Sequence, residues 1–141
     1  MQINIANNEM VHFIGIGGIG MSGLAQIMNN MGFTIQGSDL NRNKNIERLI
    51  KSRIKVFIGH HQKNLSKATM IVISSAIKKN NKELIAARHK KLTVFKRGEM
   101  LANISPLLKI DNFLFLAAIN SLFFPLIADE ITIIAALFKF L

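Results

Sequence analysis

Between residues 11 and 103, short apolar runs alternate with stretches of helical periodicity. The run Val11-His12-Phe13-Ile14-Gly15-Ile16 reads as a buried strand ending in glycines. Met21, Leu24, Ala25, Met28 and Met31 then fall on one face of a helix predicted over 19–31, with Gly32 as its stop. The helix methionines read as core filler. A second strand is expected over 33–37. A short amphipathic helix carries Ile46, Leu49, Ile50 and Arg53, and a third strand over 55–58 is ended by Gly59. The β-branched run 69–74 is expected to be a central strand. Asn80-Asn81-Lys82-Glu83 opens a helix, with Glu83 as a capping-box-like acidic partner, and Leu84, Ile85, Ala87 and Arg88 continue it. A fifth strand over 93–95 and a last helical turn or two over 97–103 complete the series. Strands and helices alternating at this spacing predict βαβ units, a parallel sheet and a ligand crevice at the carboxyl ends of the strands.

The pattern changes after residue 105. All nine glycines lie at or before Gly98, whereas six of the ten Phe follow residue 112. Residues 1–110 carry 17 basic and 5 acidic side chains, against one and three over 111–141. These shifts, with Ser105-Pro106 as a break, divide the chain into an expected domain over 1–104 and an apolar extension over 105–141. The uncharged run 112–128 is 17 residues long, contains Asn, Ser and Pro, and is followed by Asp129-Glu130. A membrane helix needs about 20 apolar residues, so no membrane span is expected. Residues 1–10 contain no Lys or Arg and read as a polar lead-in rather than a signal peptide.

Composition narrows the chemistry. Half of the 141 residues are hydrophobic, enough for a buried core. Without Cys there are no disulfides, thiolate metal sites, thiol nucleophiles or iron–sulfur clusters, in keeping with an expected cytoplasmic location. The net charge of +10 invites a nucleic-acid reading, but there is no Trp or Tyr to stack on bases. The excess Lys reads as a solvated surface, and no nucleic-acid partner is expected. A serine hydrolase elbow is missing. His60 and His61 are adjacent and point apart in an extended segment, with no acidic cluster to complete a metal site. The sequence sets no oligomeric state.

Gly15-Ile16-Gly17-Gly18-Ile19-Gly20 fits G-x-G-x-x-G between a predicted strand and a predicted helix, the context in which the motif cradles a diphosphate. Asp39 lies 19 residues past Gly20, where an acidic group meets a ribose hydroxyl. The loop does not choose its nucleotide: a nicotinamide dinucleotide and a UDP-sugar both present a diphosphate and a ribose. A small NAD-binding module therefore stands as the alternative.

From Gly15 to Ala25 the chain resembles the opening loop of the UDP-N-acetylmuramate–L-alanine ligases, enzymes of peptidoglycan synthesis. The resemblance continues at Gly37-Ser38-Asp39, at Phe57-Ile58-Gly59-His60, at Ser74-Ser75-Ala76-Ile77 and at Arg97-Gly98-Glu99-Met100-Leu101. It implies an α/β, Rossmann-like domain of about five parallel strands with helices on both faces, binding the UDP part of UDP-N-acetylmuramate. By that analogy Gly17, Gly18, Ile19 and Gly20 would cradle the diphosphate, with Gly15 at the same UDP site permitting the tight turn, and Ser38 and Asp39 would face the ribose. His60, Ser74, Ser75, Ala76 and Ile77 would line the nucleotide pocket, with Arg97 close to it. No catalytic or metal-binding residue is expected. The family's next element is a G-T-H-G-K-T-T-type ATP loop, but the matching stretch from Phe115 to Phe124 holds no Gly, and no Gly-Lys pair occurs in the chain. ATP and magnesium are thus expected only for the full-length family. The extension is expected to be a truncated or frameshifted start of the ATP-binding domain, and the chain to be inactive alone.

Overall fold

The computed structural model describes residues 9–107. The sequence expectations for residues 1–8 and for the apolar extension from residue 108 onward lie outside them. Contacts divide the chain between Ser105 and Pro106, and the fold below is that of the first unit.

Five strands, β1 (Met10–Ile14), β2 (Thr34–Asp39), β3 (Lys55–Ile58), β4 (Met70–Ile73) and β5 (Thr93–Lys96), pair in parallel in the order β3-β2-β1-β4-β5. They are joined through helices α1 (Ile19–Asn30), α2 (Lys44–Lys51) and α3 (Lys82–His89), and α4 (Arg97–Ile104) follows the last strand. A 3-10 turn at Gln62–Leu65 follows β3. This is the α/β, parallel five-stranded architecture expected from the alternation. β1 is the central strand, and the β-branched β4 is its interior neighbour.

The two sheet faces bury different sets of side chains. Val11, Phe13, Ile35 and Val72 join Met21, Leu24, Ala25 and Met28 of α1, Leu49 of α2, and Met100 and Ile104 of α4 in one core. Ile14 and Ile71 join Leu84, Ala86 and Ala87 of α3 and Leu65 of the 3-10 turn in the other. A strand covered on both faces carries apolar residues continuously rather than alternately, which explains the run in β1. His12, on the second face and wholly buried, is the exception.

Local chemistry sets the element ends. Gly32 takes φ +93°, and the amides of Gly32 and Phe33 return to Asn29 and Met28 carbonyls, closing α1 as expected. Asn43 caps α2 by accepting from the Ile46 amide, and Asn81 caps α3 by accepting from Glu83 and Leu84 amides. Two expectations are corrected. In α2 only Ile46 and Leu49 are buried, while Ile50 is exposed and Arg53 lies past the helix at φ +63°. Glu83 makes no capping box, because its side chain turns inward beneath the sheet.

Candidate functional site

The strand order reverses at β1, whose neighbours β2 and β4 lead away in opposite directions. That reversal opens a crevice at the carboxyl ends of the strands. The loops after β1 and β4, residues 15–18 and 74–77, meet there: a Cβ on Gly15 would lie 3.1 Å from Ser74 and 3.3 Å from Ile77. Gly15 itself needs its φ of +82°, and its amide and that of Ile16 both donate to the Ser38 carbonyl, at 2.8 and 3.0 Å. Ser74 accepts from the Ala76 amide at 3.3 Å, and Ser75 and Ala76 are exposed.

Gly18 ends the loop in an extended conformation and caps α1 without a side chain, and no acidic residue occupies the helix's first turn. The amides that open an α-helix have no partners within it and carry the positive end of its dipole. Those of Ile19 and Gly20 therefore face the crevice mouth with no side-chain cap. Arg97, at the start of α4, lays its guanidinium against Gly20. Two like-signed features, a cation and a helix N-terminus, thus share one place.

The Asp39 carboxylate accepts from the Gly17 amide and from its neighbour Leu40's amide, each at 2.8 Å. The Gly17 carbonyl accepts from Asn43 and Asn45 side chains at 3.1 and 3.0 Å. Gly17 is therefore tied into the protein on both sides. Its amide is already committed to Asp39, a departure from the expected diphosphate cradle that leaves the helix start beyond Gly18 as the open part.

Below the rim, polar side chains converge on Glu83. Its Oε1 accepts from the Asn64 side chain at 2.6 Å and the His61 amide at 3.2 Å. Its Oε2 lies 2.5 Å from Ser38 Oγ, 3.2 Å from His60 Nδ1 and 3.3 Å from His12 Nε2. Ser38 Oγ and His60 Nδ1 are 2.8 Å apart, and Gln36 Nε2 reaches His12 Nδ1 at 3.0 Å and the Asn64 carbonyl at 2.8 Å. Burial pushes the Glu83 carboxyl's pKa up, but the hydrogen bonds from His12, Ser38 and Asn64 outweigh it and hold the group below the usual carboxylate value.

The structure thus brings the 15–20 loop, Asp39, Arg97 and the 74–77 turn to one rim, and places Ser38 and His60 just below it. Ser38 is wholly buried and bonded inward, so its hydroxyl does not face the rim directly. His60 is no exposed loop residue: its side chain is 10% accessible. Sequence reasoning missed Glu83, Gln36 and Asn64. The one available signal was a polar residue, His12, inside an otherwise apolar strand, which requires a buried partner. Among the described residues, no group of His, Asp or Glu is arranged to hold a metal ion, and no helix is long and apolar enough to cross a membrane.

Residues 10–106 match the family described as Mur ligase family, catalytic domain. The chain is 63% identical over 109 residues to the UDP-N-acetylmuramate–L-alanine ligase of Pelagibacter ubique, covering 77% of this chain and 24% of that one. It is 54% identical over 104 residues to the ligase of the same name from Brucella ovis, covering 74% and 21%. The chain therefore spans about a quarter of the length of these relatives. Among solved structures, the UDP-N-acetylmuramate–alanine ligase of Thermotoga maritima superposes with a TM-score of 0.68 at 27% identity, over 71% of this chain and 23% of that one. A UDP-N-acetylmuramate:L-alanyl-γ-D-glutamyl-meso-diaminopimelate ligase from Neisseria meningitides gives 0.63 at 29%, over 67% and 30%. Because the match runs through all five strands and four helices, with the glycine loop in its expected place, the chain belongs to the Mur ligase family.

Proposed function

We propose that residues 9–107 bind the UDP part of UDP-N-acetylmuramate, as the nucleotide-holding domain of a UDP-N-acetylmuramate–L-alanine ligase. The observation that carries this reading is the uncapped first turn of α1 at the point of strand-order reversal, flanked by Arg97 and Asp39. The names of the relatives that match this chain support it.

Each rim group has a task in this reading. The Ile19 and Gly20 amides and the helix dipole take one face of the diphosphate. Arg97 adds a charge-assisted hydrogen-bond donor beside Gly20. Gly18 keeps the approach clear, since a Cβ there has nothing of the protein within 3.5 Å and would project into the ligand's space. Asp39, held by two amides before ligand arrives, accepts from a ribose hydroxyl at little ordering cost. Ser74, Ser75, Ala76 and Ile77 border the sugar side. The substrate reading implies a cytoplasmic location, where UDP-linked precursors are made.

Ligation in this family is driven by ATP. With no Gly-Lys pair in the sequence, the residues for an ATP phosphate loop do not fit, and no chemical step is assigned to this chain. Calorimetric titration with UDP, UDP-N-acetylmuramate and NADH tests the reading. One site for the uridine nucleotides and none for NADH is expected; NADH binding without UDP binding would overturn it in favour of an NAD module. The 141-residue chain, given UDP-N-acetylmuramate, ATP and L-alanine, is expected to release no phosphate above a blank.

A further inference from the structure

Proton positions in the Glu83 network follow from its heavy atoms. Gln36 Nε2 contacts the Asn64 carbonyl, which can only accept, so the amide nitrogen is correctly placed and its other hydrogen goes to His12 Nδ1. His12 Nδ1 is therefore bare, and its proton sits on Nε2, toward Glu83. The Asn64 side-chain nitrogen is fixed in the same way, because it contacts both the Gly59 carbonyl and Glu83 Oε1. Oε1 thus faces two definite donors, Asn64 and the His61 amide.

On Oε2, the single hydroxyl proton of Ser38 goes to the carboxylate at 2.5 Å. Ser38 Oγ can then only accept from His60, and His60 must carry its proton on Nδ1. The opposite tautomer would set a bare Nδ1 against the carboxylate at 3.2 Å, with no proton between them. His12 hence turns its Nε2 proton, and His60 its Nδ1 proton, toward one carboxylate. Among the described residues no buried side-chain nitrogen lacks a hydrogen bond and none is made to His60 Nε2, so Nε2 is not sealed from solvent. His60 follows β3 at the carboxyl rim, beside the strand end that carries Asp39.

We propose that Glu83 is a positioning residue for nucleotide recognition: with Ser38 it holds the proton of His60 on Nδ1, so that the ring in its neutral form presents Nε2 to the rim as an acceptor for a nucleoside N–H or O–H donor. The inference rests on the uridine-nucleotide reading and deepens it. An acceptor fixed in this way favours a base with an imide N–H, or a ribose hydroxyl, over a ligand that offers only acceptors there. Glu83 touches no ligand in this account and acts through His60.

Nitrogen-15 NMR of the histidine rings in the full chain at pH 8 reads the tautomers directly, which a packing role alone would not set. The wild type is expected to show His60 protonated on Nδ1 and His12 on Nε2. Glu83→Gln, which puts an amide where the acceptor was, is expected to abolish the His60 preference and weaken UDP binding about tenfold. Should that variant fail to fold, wild-type titrations with 3-methyl-UDP and 2′-deoxy-UDP still decide. Weakened binding of the first assigns the donor to the imide, and of the second to the ribose. His60 protonated on Nε2 in a wild type that binds UDP overturns the inference alone, as does full-strength binding of both analogues. Failure of the wild type to bind UDP overturns the nucleotide reading and this inference with it.

Discussion

A methyl group added at Gly17 and one added at Gly18 meet opposite surroundings, although the two residues are neighbours in one motif. At Gly17 it would lie 2.8 Å from Asn43 Nδ2, 2.9 Å from Asp39 Oδ2 and 3.0 Å from Ile46. At Gly18 nothing lies closer than 3.6 Å. Gly17→Val is therefore expected to destabilise the domain by about 1–3 kcal/mol through overpacking. Gly18→Val should cost only about 1 kcal/mol, as a poorer cap, yet abolish UDP binding; denaturant melts and calorimetry of both variants check this. Glu83 adds a pH dependence. Its folded pKa lies below its ordinary value, so its contribution is complete at neutral pH and lost as pH falls through the carboxylate range. Glu83→Gln is expected to cost about 1–3 kcal/mol at pH 7. The gap from wild type should narrow on acidification, and urea melts at a series of pH values measure it.

At the scale of elements, two caps and one close approach hold the site. Asn81 holds the first turn of α3 through the Glu83 and Leu84 amides at 2.9 and 3.1 Å, and that turn delivers the Glu83 side chain. Asn81→Ala is expected to lose about 1 kcal/mol of stability and to weaken UDP binding along with it; a variant that melts early but binds UDP at full strength would break the link between cap and site. Asn43 has the same double duty at α2, capping it through the Ile46 amide and holding the Gly17 carbonyl. In β2, a Cβ on Gly37 would meet the Phe13 carbonyl at 2.7 Å and Ile16 Cδ1 at 2.5 Å. Gly37 thus lets Ile16 fold back over β2 and shape the loop. Since one clashing atom is backbone, Gly37→Ala should destabilise the domain, and adding Ile16→Ala should restore only part of the loss in a thermal melt.

For the molecule as a whole, ligand and fold are linked by mass action. UDP at a hundred times its dissociation constant adds about 2.7 kcal/mol to the stability of a domain that binds it only when folded. In a domain of this size that raises Tm by roughly 10 °C or more, so an unchanged melt at saturating UDP would count against the proposed function. Much of the architecture could be read from the chain. Apolar runs and helical periodicity are local signals, and they gave strand and helix order to within a residue or two, the stop at Gly32, and the glycine loop at the mouth of α1. The same signals misjudged Ile50 and Arg53, because which turn of α2 faces the core depends on its seat beside α1 rather than on its own period. Distance along the chain explains what remained hidden. Glu83 meets His12 across 71 residues, Ser38 across 45 and His60 across 23, and Arg97 meets Gly20 from the far end of the domain. No periodicity records such meetings; they follow from the order β3-β2-β1-β4-β5, which brings His12 of β1, Ser38 of β2 and His60 after β3 to the first turn of α3. The sequence by itself determined that a parallel sheet would present a glycine-rich helix start to a ligand. Only the tertiary structure decided that Asp39 would occupy the Gly17 amide and that one buried carboxylate would fix the protons of two histidines, because hydrogen-bond partners are chosen by proximity in space.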